Sequence, residues 1–325
     1  MCGHHPRYTL SKYQQCKSEN MHTLSEYETY PVLGVNISSC TKEEFFVLVN
    51  ERLQNSDVGV PPLFIVTVNP EIAIQSIIDN PFREILQSSS INTADGVGIS
   101  WAVKHLYNKS VDRITGSDSL GKICEVCAGL DQSVFFYGAA PGVAAKAADI
   151  LVKRIPGLHV AGVYSPETPD SNYESLPSST QEELLSASVV FVALGAPSQE
   201  KWISENMHKL SRCKLIIGIG GSFDFIAGTQ KRAPLMFRKS GLEWLYRLYK
   251  QPSRWRRMMR LPLFALNVLL LSANSPNPQK VKNNAYTKND GGSNGSSKGM
   301  EKPKSSKLDH RPDITAKRPH FAGED

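Results

Sequence analysis

Asp95-Gly96 follows a short apolar run, Ile91 to Ala94, which carries the polar Asn92 and Thr93. A carboxylate at such a point can accept the proton of an attacking hydroxyl. The same dipeptide also makes an ordinary tight turn, and the residues alone leave both readings open. Gly138-Ala-Ala-Pro-Gly142 lies between an apolar run and an alanine-rich helical stretch. It suits either a phosphate at a helix N-terminus or a turn that merely needs glycine. It is not G-x-G-x-x-G, and no acidic residue follows about twenty positions on, so a dinucleotide oxidoreductase is weakly supported. No Asp-x-Asp occurs in the 325 residues, which argues against a metal-chelated nucleotide sugar. A departing diphosphate would then need arginines, amides or a helix end.

Other chemistry-bearing patterns have simpler explanations. Gly291-Gly-Ser-Asn-Gly295 has the form of a hydrolase elbow, but no strand or helix pattern surrounds it. Cys124 and Cys127 are three apart in a helical stretch, Ser119 to Leu130, which places both thiols on one face and favours buried cysteines over a redox or zinc pair. With Cys2, Cys16, Cys40 and Cys213 they are scattered, unlike a disulfide scaffold. Cys2, His4 and His5 could bind a metal, but they sit in a polar arm with nothing to hold them in place. No metal site is expected.

The elements that position the candidates alternate between short apolar runs and amphipathic stretches. Strands are expected at Val32–Val35, Leu63–Val68, Ile91–Ala94, Ser133–Tyr137, His159–Val163, Val189–Leu194 and Lys214–Ile219. Helices are expected from the capping box Thr41-x-x-Glu44 to Leu53, from Glu71 to about Gln87, up to Tyr107, up to Arg154, and over Gln199–Leu210. Repeated strand–helix units imply a Rossmann-like α/β fold, a mainly parallel sheet with helices on both faces. Such sheets bind ligands beyond the carboxyl ends of their strands. That edge would gather Thr67, Asn69, Asp95, Gly138, Gln199 and the stretch Gly220 to Asp224.

Beyond Gly228 the character changes. Residues 229–260 hold ten Lys or Arg and one acid, Glu243, and contribute heavily to the net charge of +6. Leu261 to Leu271 is nearly all apolar. As a helix it spans about 16 Å, half of a bilayer core of about 30 Å, so it can lie in an interface but not cross. Interleaved Trp244, Tyr246, Tyr249 and Trp255 suit a membrane interface as well as bases. The apolar segment tips the reading toward an anionic membrane surface and away from nucleic acid. No signal peptide or spanning run is visible, so the chain is expected in the cytoplasm, peripheral on the inner membrane face. The expected organisation is a disordered arm over residues 1–28, a Rossmann-like domain over 29–228, a basic and apolar docking appendage over 229–272, and a disordered tail over 273–325.

Seven blocks carry a resemblance. They are Thr67-Val-Asn69-Pro-Glu71, Thr93-Ala-Asp95-Gly96-Val-Gly98, Arg113-Ile-Thr-Gly116-Ser-Asp118, Gly195-Ala-Pro-Ser-Gln199-Glu200-Lys-Trp202, Gly220-Gly-Ser-Phe-Asp224-Phe-Ile-Ala-Gly228, Lys231-Arg232-Ala-Pro234 and Gly241-Leu-Glu243-Trp244-Leu-Tyr-Arg247-Leu. In that order the sequence resembles the WecG/TagA/CpsF glycosyltransferases. The resemblance implies inverting, metal-independent transfer of N-acetylmannosamine or a related hexose, with no cofactor. The donor would be a UDP-sugar and the acceptor a sugar on undecaprenyl diphosphate, in cell-surface polysaccharide synthesis. It also implies Asp95 as catalytic base, with Thr67, Asn69 and Gln199 around donor and acceptor. Arg113, Gly138 and Asp224 join them as substrate-binding candidates. Arg232, Arg247 and Arg254 would face the diphosphates, and a homo-oligomer is plausible. Gln251-Pro252 departs from a common Glu-Pro. A nucleotide-binding oxidoreductase and a non-catalytic membrane-surface scaffold are the competing classes.

Overall fold

The computed structural model describes residues 27–274, except 56–59, 169–171, 235, 238–242, 251, 253 and 254. The expected disordered arm and tail, the Cys2/His4/His5 group and Gly291–Gly295 lie outside the described residues, save for the last residues of the arm and the first of the tail.

The chain begins with an antiparallel hairpin, β1 (Thr29–Val32) and β2 (Val35–Ser38). The expected strand Val32–Val35 is in fact its turn. Leu33 and Gly34 both have positive φ, 52° and 86°, and such a pair closes a two-residue hairpin in register with strand twist. The capping box forms as expected at the start of α1 (Lys42–Asn55). The Glu44 backbone N–H donates to Thr41 Oγ1 at 3.2 Å, and the Thr41 N–H to Glu44 Oε2 at 2.8 Å.

Six strands then build the main sheet: β3 (Leu63–Val68), β4 (Ile91–Ala94), β5 (Ser133–Gly138), β6 (His159–Tyr164), β7 (Val189–Ala193) and β8 (Leu215–Gly218). Their order is β4-β3-β8-β7-β5-β6, and all five pairings are parallel. Strands β3, β4, β7 and β8 are buried along their whole length, which is why β7 and β8 read as unbroken apolar runs rather than an alternation, while β3 carries one polar residue, Thr67, and β4 two, Asn92 and Thr93.

The strand side chains alternate between two cores. One holds Phe64, Val66, Phe135, Tyr137, Val190 and Ile216 against α2 (Pro70–Ile78), α3 (Asn80–Ser88), α4 (Val97–Tyr107), α7 (Ser178–Ser186) and α8 (Ser198–Asn206). The other holds Ile65, Val134, Phe136, Phe191 and Ile217 against α1, α5 (Gly116–Gly129), α6 (Val143–Arg154) and α9 (Ser222–Ala227). Cys124 and Cys127 are buried in the second core as free thiols.

The single helix expected from Glu71 to Gln87 is two. Asp79 ends α2 and caps α3, accepting the Phe82 N–H at 3.0 Å, and Asn80-Pro81 occupies the first turn, where a missing N–H costs nothing. After α9 come α10 (Glu243–Lys250), α11 (Trp255–Met258) and α12 (Arg260–Asn274). Helix α12 packs on α2 and α4, and its Phe264 and Val268, four apart, are buried in the first core. The opposite face leaves Leu263, Leu266 and Leu270 about half exposed, at 46%, 53% and 52%. Among the described residues no helix is long and apolar enough to cross a membrane.

Candidate active site

Parallel pairing sets Val68 at the end of β3 opposite Ala94 at the end of β4, so the residues that follow, Asn69 and Asp95, emerge side by side. The Asp95 backbone N–H donates to the Val68 carbonyl at 2.7 Å, which holds the turn tight against β3. On the far side of β4 the backbone of Arg113 bridges to Ala94, and the Ile114 N–H donates to the Ala94 carbonyl at 3.0 Å. Asn69 caps α2, accepting the Ile72 N–H at 3.0 Å. Asn69, half-buried Asp95 and Arg113 thus meet at one carboxyl edge of the sheet.

There they line a cavity of about 690 Å³, whose other wall comes from the helices beyond Gly228. Trp101 of α4 lines it together with Trp244, Trp255, Met258 and Phe264, and Glu71 and Glu243 add two more carboxylates. Arg257 of α11 sends both Nε (2.9 Å) and Nη2 (2.7 Å) to Glu71 Oε2. This ion pair ties the added helices to the N-terminus of α2. The cavity is polar at the sheet edge and apolar toward α12, an arrangement suited to a ligand with a sugar or phosphate end and a hydrocarbon end. Among the described residues no three His, Cys, Asp or Glu are grouped to hold a metal ion.

The other sequence candidates are placed differently. Thr67 and Gln199 do not line the cavity; both are buried and bonded internally. Thr67 Oγ1 donates to the Gly218 carbonyl at 3.1 Å, and Gln199 accepts the Gly220 N–H at 3.0 Å. Gly138 lies three strands from β3, roughly 14 Å at about 4.8 Å per strand. A Cβ there would meet the Ala193 carbonyl carbon at 2.7 Å with φ at 106°, so close strand approach accounts for this glycine. Asp224 accepts from the Thr229 hydroxyl at 3.0 Å and secures the end of α9. Arg232 binds Asp118 Oδ1 at 2.8 Å. Burial works to raise the Asp118 carboxyl, but the hydrogen bond and charge of Arg232, the Thr115 hydroxyl and the charge of Arg113 together hold it below the usual carboxylate range. Arg232 Nε is buried without a hydrogen-bond partner among the described residues. Arg247 falls on α10, but its side chain, like the whole of Arg254, lies outside the described residues.

Sequence reasoning missed Glu71 as the anchor of Arg257, and it missed the cavity role of Trp101. Glu71 stood in a quoted block and could have been flagged as an acid opposite a basic stretch. Trp101 carried no signal beyond being a large apolar residue on a predicted helix.

Residues 30–277 match the family model described as glycosyl transferase WecG/TagA/CpsF family. The chain belongs to this family. It is a WecG/TagA/CpsF glycosyltransferase, and the cavity at the β3–β4 edge lies within the matched span. Similar curated proteins carry the name N-acetylglucosaminyldiphosphoundecaprenol N-acetyl-beta-D-mannosaminyltransferase. One from Bacillus spizizenii is 35% identical over 208 residues, 63% of this chain and 78% of that protein. One from Bacillus subtilis is 34% identical over 218 residues, 66% of this chain and 83% of that protein. One from Staphylococcus aureus (strain MRSA252) is 30% identical over 240 residues, 73% and 91% of the two chains.

Proposed function

We propose that this glycosyltransferase moves N-acetylmannosamine from UDP to N-acetylglucosamine carried on undecaprenyl diphosphate, for cell-surface polysaccharide, with inversion and without a metal. The observation that carries the reading is a carboxylate, Asp95, beside a guanidinium, Arg113, in a cavity that turns from polar to apolar. The names of the relatives supply the sugar and the acceptor.

In this reading Asp95 takes the proton from the acceptor hydroxyl as its oxygen attacks the anomeric carbon. The bond to the donor diphosphate breaks as the glycosidic bond forms on the opposite face, and UDP leaves with the electron pair. Arg113 and the basic residues beyond Gly228, Arg232 among them, stabilise the charge that grows on the leaving group, where one well-placed donor is worth about 3 kcal/mol. The tryptophans and α12 cover the reacting atoms and exclude the water that would hydrolyse the donor. Thr67 and Gln199 hold the carboxyl ends of β3 and β8 together behind Asn69.

The half-exposed leucines of α12 lie beside the cavity wall that the same helix forms, so docking this face on the membrane would present the apolar end of the cavity to the lipid carrier. We place the enzyme there as a peripheral protein, with its basic helices on anionic headgroups. Release of UDP is the direct test, measured over several UDP-sugars with N-acetylglucosaminyl diphosphate on a polyprenyl chain. Release from UDP-N-acetylmannosamine alone fits the reading. Release from a different donor would correct the sugar, and acceptor-independent release would set aside the transferase assignment.

A further inference from the structure

Gln199 and Glu200 are adjacent on α8, and both are buried, at 2% and 0% exposure. The Gln199 side chain makes two hydrogen bonds inside the protein. Its Nε2 donates to Glu200 Oε1 at 2.7 Å, and its Oε1 accepts the Gly220 backbone N–H at 3.0 Å. A carboxamide has a donor end and an acceptor end of nearly equal size, so packing alone does not decide which way it faces. The Gly220 N–H can only donate. Glu200 Oε1 receives the amide hydrogen, so the pair fixes one orientation, and a flipped amide would set NH₂ against N–H and oxygen against oxygen.

The amide is set against β8 itself. A Cβ at Gly218 would lie 2.6 Å from Gln199 Nε2, so the side chain rests directly on the last residue of the strand. Strand register carries this to the cavity. Val66 of β3 pairs with Gly218, which sets the turn Ile219–Gly221 level with Thr67–Asn69 on the neighbouring strand, about 4.8 Å away. Thr67 holds the Gly218 carbonyl, and Asn69 lines the cavity. The route from Glu200 to the reacting groups is therefore Gln199, the Gly220 amide and the carboxyl ends of β8 and β3.

Glu200 itself is an uncomfortable core residue. Its Oε2 is buried with no hydrogen-bond partner among the described residues, and desolvation pushes its carboxyl up to about 7 against the pull of the Gln199 hydrogen bond. Burying a polar group in this way costs stability, so stability does not account for its placement. We propose that Glu200 is a positioning residue for sugar transfer: it orients the Gln199 amide, which in turn fixes the β8–α9 turn against the end of β3, the strand that leads into the cavity residue Asn69. The inference rests on the proposal that this cavity is the transfer site.

The test is a double-mutant cycle in the full chain, with kcat and KM for UDP release and the melting temperature measured on every variant. Glu200→Leu should lower kcat about tenfold with KM changed less, and Gln199→Leu should lower it at least as much. The double variant should be no slower than Gln199→Leu alone, since Glu200 acts only through that amide. Glu200→Gln keeps an oxygen that accepts from Gln199 Nε2 and should stay within about threefold of the unaltered enzyme, a rescue that general loosening of α8 would not produce. Effects that multiply in the double variant, or full activity of Glu200→Leu, would overturn the proposal. So would a failure of both Glu200→Leu and Glu200→Met to fold, which would make the residue a structural one. If the unaltered enzyme transfers no sugar, the functional reading fails, and that result is separate from any outcome of the cycle.

Discussion

Folding stability should fall as pH rises through neutrality, and replacing Glu200 by Gln should remove most of that fall. The cause is burial. The Glu200 carboxyl moves from an ordinary value of 4.5 to about 7, with desolvation raising it and the Gln199 hydrogen bond and a backbone hydrogen bond opposing. The next residue on α8, Lys201, is engaged with Asp79, the cap of α3, at 3.1 Å. A raised carboxyl means that between pH 4.5 and 7 the folded protein holds a proton the unfolded chain has lost. The stabilisation is complete below the unfolded value and is lost as pH rises through the folded one. At about 1.4 kcal/mol per tenfold change in proton affinity, the full effect is about 3 kcal/mol, most of which falls between pH 5 and pH 8.5. Urea unfolding of the unaltered protein and of Glu200→Gln at both pH values measures it directly. The glutamine variant shares every other titrating group, so the difference between the two slopes isolates Glu200. Parallel pH profiles would refute the reasoning, because they would mean that the carboxylate is solvated or paired in the folded state.

Three further outcomes are expected. Transfer should persist in excess EDTA, and activity abolished by chelation and restored by Mg²⁺ or Mn²⁺ would contradict leaving-group stabilisation by cationic side chains. Phe264→Ala removes the largest buried side chain that α12 inserts beside α2 and α4. It should destabilise that docking by about 3–5 kcal/mol and raise hydrogen exchange along α12 while β3 and β8 stay protected, whereas unchanged exchange would show that the helix is held elsewhere. Changing Leu263, Leu266 and Leu270 together to Gln should cut partitioning onto anionic vesicles by about 100-fold, taking about 1 kcal/mol for each half-buried leucine; unaltered co-sedimentation would remove α12 from the membrane contact.

Most of the sheet is legible because its inner strands and β4 are buried on both faces, β6 at the edge being half-exposed. Leu63–Val68, interrupted only by Thr67, and the shorter Ile91–Ala94, with Asn92 and Thr93 inside it, appear with those limits. The rule that ligands gather at carboxyl ends then brings Asn69 and Asp95 together from the sequence alone. What escaped was short-range or long-range. Asp79 divides α2 from α3 through a cap that helical periodicity does not record. The Leu33-Gly34 turn sits inside a stretch whose composition reads as strand, since the positive φ of Leu33 is imposed by hairpin closure and is not a preference of leucine. Helix α7, polar over much of its length, has too weak a pattern to stand out. At the site, Thr67 and Gln199 stand out by their place after strands and in the family blocks, yet their partners Gly218 and Gly220 are 151 and 21 residues away. Likewise Arg257 meets Glu71 across 186 residues, a pairing only the folded chain brings about.

Single-turnover transfer by Asp95→Asn, set beside UDP binding by the same variant, bears on the whole assignment. Asparagine keeps the size of the side chain and the Asp95 backbone bond to Val68, but it cannot accept the hydroxyl proton. Turnover should fall about 10²–10⁴-fold, the usual contribution of general base catalysis, while UDP binding measured by calorimetry stays within a few-fold. Transfer at a near-normal rate by Asp95→Asn, with UDP binding intact, would mean that another group takes the proton and that the cavity at the β3–β4 edge is not where the sugar moves.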